Sequence, residues 1–272
     1  MKRVGKVFLI SLQVVLIAIC LVSGGYLFYH MVYVPQRNRQ MVEKLKEEFP
    51  EETDLPGETP PKEKNSPAGE EKVLLVDLLA LQDRYPDIQG WLTIPDTNID
   101  YPVLQGSKAD PERYLHRNYA GEWNVNGSLF LQWDCDVSGS QNLVVYGHNM
   151  NSGEMFGNLD KYCSVEYYKD HGSVFFQSLS GVSEYEVVAI LKADVFSFPF
   201  QRVDLSGIGG ISGYIRQAEE QSLFGKGEEL CDTVQVLTLV TCSYEWDGAR
   251  MILIAAKKAE SETAPEGSGA VI

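Results

Sequence analysis

Cys242 and Arg250 are the two residues whose types and spacing most directly suggest covalent chemistry. Cys242 ends an alternating apolar stretch, residues 233–242, and Arg250 opens another, residues 250–256, after a short loop. If the two stretches pair as an antiparallel hairpin, Arg250 lies beside Cys242. A thiolate attacks carbonyl carbons, and a neighbouring guanidinium favours the thiolate or binds the oxyanion formed by the attack. The alternative is a buried cysteine and a surface arginine that do no chemistry.

His148 is the best placed of the four histidines to act as the base that such a thiol needs. It follows a strand-like apolar run, residues 142–146, in the sequence Gly-His-Asn, a position that lifts the imidazole onto the rim of a sheet. His30 lies at the end of a hydrophobic segment, whereas His116 and His171 stand in polar loops. A cysteine with a histidine is compatible with covalent acyl transfer. The spacing leaves open whether the thiol and the imidazole meet.

The elements that must position these residues are mostly strands. Residues 73–258 form the predicted globular domain, which opens with an amphipathic helix that ends before Pro86. Short apolar runs separated by Gly, Asn, Asp and Pro follow, and residues 211–224 interrupt them as a second helix. The candidate strands are residues 91–94, 99–104, 128–133, 142–146, 173–177, 185–193, 233–242 and 250–256. Eight short strands predict a mainly β fold, either a barrel or a sandwich.

Composition limits the partners of this domain. The chain has 23 Lys and Arg against 38 Asp and Glu, a formal net charge of −15. This charge opposes the clustered positive surface that binds nucleic acid. The five cysteines and four histidines form no C-x-x-C or H-x-x-x-H pair, so the ligand spacing of structural zinc is missing. The sequence therefore predicts no nucleic-acid partner, no metal and no cofactor.

Residues 7–34 are predicted to form a transmembrane signal anchor. Residues 7–29 contain no Asp, Glu, Lys or Arg, and three basic residues precede them. About 20 apolar residues cross a bilayer, and basic residues hold the short side in the cytoplasm. Residues 1–6 are then cytoplasmic and the rest of the chain extracellular. A cleaved signal peptide is the alternative, but its apolar stretch usually runs about 7–15 residues. Cys20, inside the span, does not suit lipid attachment.

Residues 35–72 are predicted to be an extracellular stalk that links the anchor to the domain. They contain 7 Lys and Arg and 10 Asp and Glu, and their second half is rich in Pro, Glu, Thr and Gly. Such a composition has little to bury. Residues 37–48 could continue as a charged helix, and as a random coil the whole segment would span about 35 Å. Residues 259–272 are predicted to be a disordered C-terminal tail.

Six short motifs occur in an order typical of one enzyme family. The sequence TLVTC at residues 238–242 is followed eight residues later by Arg250 and a strand. Before it come GWLTI at 90–94, TNIDYPV at 97–103, GSLFL at 127–131, YGHNM at 146–150 and MFGNL at 155–159. Together they resemble the sortases of Gram-positive bacteria, and class B sortases in particular. The resemblance covers residues 73–258 and implies an eight-stranded sortase barrel with N-terminal helices and a helix between strands 6 and 7.

The resemblance also implies an activity and gives roles to three residues. Cys242 would be the nucleophile, His148 the general acid and base, and Arg250 the group that binds the oxyanion or orients the substrate. Such a cysteine transpeptidase cleaves a C-terminal sorting-signal pentapeptide after Thr and holds the acyl part as a thioester. It then transfers the protein to an amine of a peptidoglycan cross-bridge or a lipid-linked precursor. The implied location is the outer face of the cell membrane, and the implied substrates are surface proteins.

A substrate groove is the last feature that the resemblance implies. Val240, Thr241, Ser243 and Tyr214 would line it. Val240 stands where class B sortases often have Ser, and residues 132–135 depart from the usual acidic-aromatic-basic stretch, so the preferred pentapeptide stays open. Two other functions also stay open: a thiol peptidase that releases the peptide to water, and an inactive surface-binding module that keeps the fold.

Overall fold

Eight strands close into one barrel in the computed structural model, which describes residues 2–50, 75–224, 233–242 and 248–259. They are β1 (Ile88–Thr93), β2 (Asp100–Gln105), β3 (Leu129–Leu131), β4 (Asn142–Tyr146), β5 (Ser173–Ser178), β6 (Gly181–Ala193), β7 (Val236–Cys242) and β8 (Arg250–Lys257). The order around the barrel is β1, β2, β3, β4, β7, β8, β6, β5, and β5 pairs with β1 to close it. The predicted mainly β, eight-stranded barrel is confirmed.

Two parallel pairings, β2 with β3 and β4 with β7, interrupt an otherwise antiparallel barrel. In the second of them, the register runs from Asn142 opposite Val236 to Tyr146 opposite Val240. Parallel neighbours need a long crossover connection, and here it contains β5, β6 and the helix between β6 and β7. The consequence is that β4 and β7 end at the same edge of the barrel.

Among the described residues of the predicted domain, three α-helices lie on the barrel. α3 (Leu78–Arg84) is capped by Asp77, whose Oδ1 accepts a hydrogen bond from Ala80 N at 2.9 Å. α4 (Val165–Asp170) is a short helix before β5. α5 (Gly210–Gln221) packs against β6, and it confirms the expected helix between strands 6 and 7. A Cβ at Gly213 would lie 2.2 Å from the backbone oxygen of Ile208, so glycine is required where α5 folds against the turn that precedes it.

The N-terminal region is helical from α1 (Lys2–Phe28) through a π-helical turn (Tyr29–Tyr33) into α2 (Val34–Glu48). The helix that includes α1 is long and apolar enough to cross a membrane, judged by length and composition. Its large hydrophobic side chains between Ile10 and Phe28 are exposed. An apolar surface of this extent is compatible with an apolar surrounding rather than with water.

α2 packs on the barrel, which corrects the stalk prediction for residues 35–48. One face of α2 is turned to the domain and carries residues at helical spacing: Pro35, Asn38, Val42 and Leu45. Leu45 is 1% exposed and lies in a hydrophobic cluster with Trp91; burial of such a side chain contributes about 1.5–3 kcal/mol. The high charge of α2 belongs to its other faces. Residues 51–72 of the predicted stalk and 260–272 of the predicted tail lie outside the described residues.

Candidate active site

A cleft of about 560 Å³ opens at the barrel edge where β4 and β7 end and β8 begins. Its walls come from these strands, from β3, from the segment between β2 and β3 and from the segment that follows β6. The lining residues are Pro111, Glu112, Leu115, Phe130, Gln132, Trp133, Tyr146, Gly147, His148, Val195, Phe200, Gln201, Val240, Thr241 and Arg250. Ligand pockets in proteins are typically about 300–1,000 Å³. The cleft therefore has the volume to hold a short peptide segment.

The pairing of β4 with β7 carries His148 and Cys242 to one edge of the barrel. The backbone N–H of Gly147 donates to the carbonyl of Val240 at 3.1 Å, which continues the contact beyond the end of β4. The backbone of Cys242 ends β7 and pairs across the hairpin with Arg250, the first residue of β8. This pairing confirms the predicted hairpin. Because β7 lies between β4 and β8, all three residues share the edge that bounds the cleft.

Close packing fixes the backbone just before His148. A Cβ at Gly147 would lie 2.5 Å from Leu129 Cδ2 and 2.7 Å from Phe156 Cδ2. These separations are too short for any real Cβ contact, so a larger residue would displace the backbone or its neighbours. The glycine of the Gly-His-Asn sequence is thus explained by the close approach of the chain to the barrel interior.

His148 is half-buried, and its environment favours the neutral imidazole. Its Nε2 lies 2.7 Å from the carbonyl oxygen of Leu115. A carbonyl can only accept, so Nε2 carries the proton and the lone pair of the neutral ring is on Nδ1. Burial is the main cause that lowers the pKa of His148 below its usual value of 6.5, and the nearby His116 lowers it further. At neutral pH the ring can therefore accept a proton.

His116 is a neighbour of this site that the sequence did not reveal. Its ring stacks on that of His148, with 5.3 Å between centroids and 29° between planes. On the other side it lies 5.2 Å from the ring of Trp123. His116 is exposed, as expected of a polar loop, but its spacing from His148 in the sequence carries no signal of the contact.

Polar side chains form one wall of the cleft beside Arg250. The Arg250 guanidinium donates through Nη1 to the carbonyl of Ala249 at 3.0 Å. Tyr146 Oη donates to Gln132 Oε1 at 2.8 Å, and Gln132 Nε2 donates to the carbonyl of Gln201 at 2.9 Å. Burial raises the pKa of Tyr146 to about 12, although the charge of Arg250 opposes this shift. Tyr146 is therefore a neutral hydrogen-bonding group at physiological pH.

Val240 and Thr241 line the cleft, whereas Tyr214 does not. Thr241 is 2% exposed, and its Oγ1 has no hydrogen-bond partner among the described residues. Tyr214 is completely buried, and its hydroxyl lies 3.0 Å from Thr238 Oγ1 in the core. The expected contact of Tyr214 with a substrate is corrected accordingly, because its polar end is directed to β7 inside the fold. Ser243 lies outside the described residues.

Comparison with known proteins gives one consistent family. The family model described as Sortase domain matches residues 92–258, a range that includes His148, Cys242 and Arg250. Sortase B of Listeria monocytogenes is 31% identical over 181 residues, which cover 65% of this chain and 72% of the relative. The family match therefore extends over β2 to β8 and over all the residues that line the cleft.

Solved structures give the same result for the fold. The crystal structure of sortase B from Bacillus anthracis matches with a TM-score of 0.65 and 27% identity, over 84% of this chain and 99% of that one. A Staphylococcus aureus sortase B–substrate complex matches with a TM-score of 0.60 and 23% identity, over 67% of this chain and 84% of that one. The second match, at 23% identity, shows a similarity of fold alone.

Proposed function

We propose a specific reaction for this chain, which belongs to the sortase family and within it to class B, whose members are cysteine transpeptidases. In this proposal the enzyme cleaves the sorting signal of a surface protein after Thr and transfers that surface protein to a cell-wall amine. This reaction is supported by the shared edge of β4, β7 and β8: His148 follows β4, Cys242 ends β7 and Arg250 begins β8. His148 and Arg250 line the cleft at this edge. The solved Staphylococcus aureus sortase B–substrate complex, which this chain resembles in fold, is compatible with a bound substrate in this proposal.

In the first proposed step, the Cys242 sulfur attacks the backbone carbonyl carbon of the substrate Thr. His148 accepts the thiol proton at Nδ1, since its Nε2–H is engaged by Leu115. The new S–C bond converts the carbonyl into an oxyanion. The guanidinium of Arg250, which lines the cleft, stabilises that negative charge. A neutral His148 suits this step because only the neutral ring can take the proton.

In the second proposed step, the peptide C–N bond breaks and a thioester remains on Cys242. The imidazolium of His148 gives its proton to the departing amine. An incoming cell-wall amine then attacks the thioester, its proton passes back through His148, and the Cys242 thiol is restored. The bonds made and broken balance, with one amide consumed and one formed. Water in place of the amine would give hydrolysis, as in a thiol peptidase.

Val240 and Thr241 are proposed to contact the peptide. The Oγ1 of Thr241 is a buried polar atom with no partner in the part of the chain that the structure describes, and such atoms in native proteins usually have a partner. A polar group of a bound peptide would supply one. Val240 offers methyl groups, so its contact would be apolar. The proposed groove therefore combines one hydroxyl and one apolar surface directly before the nucleophile.

The test uses the full chain in detergent with a library of Thr-containing pentapeptides that carry a fluorophore and a quencher. Each peptide is incubated with and without a small amine, and products are identified by mass spectrometry. Transpeptidation predicts a thioester on the protein and an amine-dependent peptide product. Release to water at an unchanged rate without amine would favour a thiol peptidase. If every peptide left the protein without a thioester, the binding-module alternative would be favoured.

Arg250→Lys is expected to lower kcat about 10- to 100-fold without abolishing turnover. Lysine keeps the positive charge but loses the planar fork that can hold two oxygens. Loss of a donor to a developing oxyanion typically costs about 10²–10³ in kcat, and the retained charge reduces this loss. The measurement is steady-state kinetics on the best peptide, with Arg216→Lys at an exposed position of α5 as the control. A variant as fast as the parent would make Arg250 a bystander.

The proposed location is the outer face of the cell membrane, with α1 as a single-pass anchor. Three basic residues before the apolar stretch favour a cytoplasmic N-terminus. We expect the protein to sediment with membranes and, in intact protoplasts, to lose its domain to an external protease. Detection with antibodies against the domain checks both results. A domain found in the supernatant before protease treatment, or protected from the protease, would contradict this topology.

A further inference from the structure

Glu154 is a fully buried carboxylate in the loop that follows His148. None of its side-chain surface is exposed. Its Oε1 accepts from Arg39 Nε at 2.6 Å, and its Oε2 accepts from Tyr101 Oη at 2.9 Å and from Asn38 Nδ2 at 3.4 Å. Two of these three donors, and the positive charge, come from α2. The loop therefore shares an ion pair, of which only the Glu154 carboxylate is fully buried, with the helix that continues the proposed membrane anchor.

Burial of the Glu154 carboxylate is costly unless the charge is compensated, because an ionised carboxylate out of water needs both a cation and hydrogen bonds. Tyr101 supplies a neutral donor, and burial together with Glu154 raises the pKa of its hydroxyl, so it stays protonated. The compensating charge comes from Arg39, whose side chain is 57% exposed. Removal of Arg39 would leave Glu154 buried and charged without a counter-ion.

Glu154 is connected to His148 by a short and well-bonded loop. The backbone N–H of Phe156 donates to the carbonyl of His148 at 3.0 Å. The next residues inward, Asn149 and Met155, form an isolated antiparallel bridge. Gly157 N donates to the carbonyl of Glu154 at 2.9 Å. The two ends of the loop are thus tied together. A displacement of Glu154 would be transmitted directly to the backbone of His148.

Asn38 also contacts the other segment that holds His148. Its Oδ1 accepts from Asn124 Nδ2 at 3.3 Å, and Asn124 N donates to the carbonyl of His116 at 3.0 Å. The residue before His116 is Leu115, whose carbonyl accepts the Nε2–H of His148. One turn of α2 therefore contacts both the loop after the imidazole and the segment that binds its Nε2.

We propose that Asn38 and Arg39 of α2 are positioning residues for the proposed reaction: through Glu154 and Asn124 they hold His148 in the orientation that proton transfer requires. The inference rests on the proposed role of His148 as acid and base. It makes α2 a part of the catalytic unit. A misplacement of about 1 Å at a reacting group can reduce turnover about 100-fold, so the effect belongs in kcat rather than in peptide binding.

The first test compares Arg39→Ala with Arg37→Ala in the full chain. Both remove one exposed arginine from α2, but Arg37, two residues earlier, lies on a different face of the helix. Rates are divided by the concentration of active sites, titrated as the Cys242 thioester, so that unfolded protein does not count. Arg39→Ala is expected to lower kcat about 10- to 100-fold with KM within about twofold. Arg37→Ala is expected to match the parent.

Arg39→Lys gives the conservative rescue, because an ammonium can still neutralise Glu154. It is expected to regain most of the lost kcat. If Arg39→Ala folds too poorly to assay, Arg39→Ala/Glu154→Gln removes the uncompensated charge and keeps a side chain of the same shape. This double variant is expected to fold and still to show lowered kcat, because α2 no longer holds the loop by an ion pair. Parental kcat in Arg39→Ala, or in the double variant Arg39→Ala/Glu154→Gln, would overturn the proposal.

Hydrogen exchange separates failure of this inference from failure of the proposed function. The amides of Phe156 and Gly157 should exchange faster in Arg39→Ala than in Arg37→Ala, whether or not the protein turns over peptide. Unchanged exchange would overturn the positioning role even if Cys242 and His148 proved essential. Full activity of a variant without the His148 imidazole would instead overturn the proposed function, with the exchange result unaffected.

Discussion

Cys242→Ala is expected to abolish thioester formation and to lower turnover at least about 10⁴-fold. The proposed reaction passes through a covalent bond to this sulfur, and alanine has no nucleophile that could form it. Position 242 ends β7 at the edge of the cleft, so a smaller side chain there should leave the barrel assembled. The measurement is intact-protein mass spectrometry after incubation with peptide, together with product formation under single-turnover conditions.

Cys135→Ala is the matched control, since it removes a thiol of a different kind. Cys135 is 7% exposed, and its Sγ lies 3.5 Å from the N–H of Val144 in the barrel core. Burial raises its pKa to about 11, so the thiol stays protonated and unreactive at neutral pH. Its replacement should leave kcat within about twofold of the parent. An essential Cys135 with a dispensable Cys242 would contradict the proposed site.

His148→Ala is expected to reduce kcat about 10²- to 10⁴-fold, the range typical of a lost general acid and base. The proton of the thiol and the proton for the leaving amine both pass through this ring in the proposed reaction. Alanine offers no group that could carry either. The control is His171→Gln, which removes an imidazole that stacks on Tyr167 and does not line the cleft. That variant should turn over peptide at the parental rate.

The pH dependence gives His148 a second, independent signature. Because its pKa is lowered from 6.5, the neutral form persists into mildly acidic solution. The acid limb of kcat/KM, which reports the free enzyme, should therefore have its midpoint below pH 6.5. Protonation removes the base, so activity falls as pH decreases through that midpoint. A midpoint above pH 6.5, or one that persists in residual His148→Ala activity, would show that another group titrates.

Local pattern was enough to predict the parts of the fold that depend on neighbouring residues. β4 was predicted at residues 142–146 and occupies them, because an apolar run there ends at a glycine. The same holds for the backbone pairing of Cys242 with Arg250, since two strands joined by a short loop can only pair antiparallel. These inferences needed no knowledge of the rest of the barrel.

Contacts between distant segments could not be predicted in the same way. The parallel pairing of β4 with β7 depends on the strand order, and therefore so does the composition of the cleft walls, such as Phe130 and Gln201. Tyr214 shows a different limit: a tyrosine can direct its hydroxyl to a groove or to a buried partner, and here Thr238 is that partner. In α2, abundant charge concealed the few apolar residues that dock.

The continuous helix from α1 into α2 bears on where the proposed enzyme can work. At 1.5 Å per residue, Arg39 lies only about 16 Å beyond Phe28 along the helix axis. A domain held at such a fixed height can bind substrates only within a thin layer above the lipid headgroups, and its cleft keeps a constant angle to the bilayer. Under the proposed anchoring, encounters with substrate then depend on lateral diffusion and on how far each sorting signal stands from the membrane. A flexible tether with a reach of about 35 Å would sample a much deeper volume at a lower effective concentration.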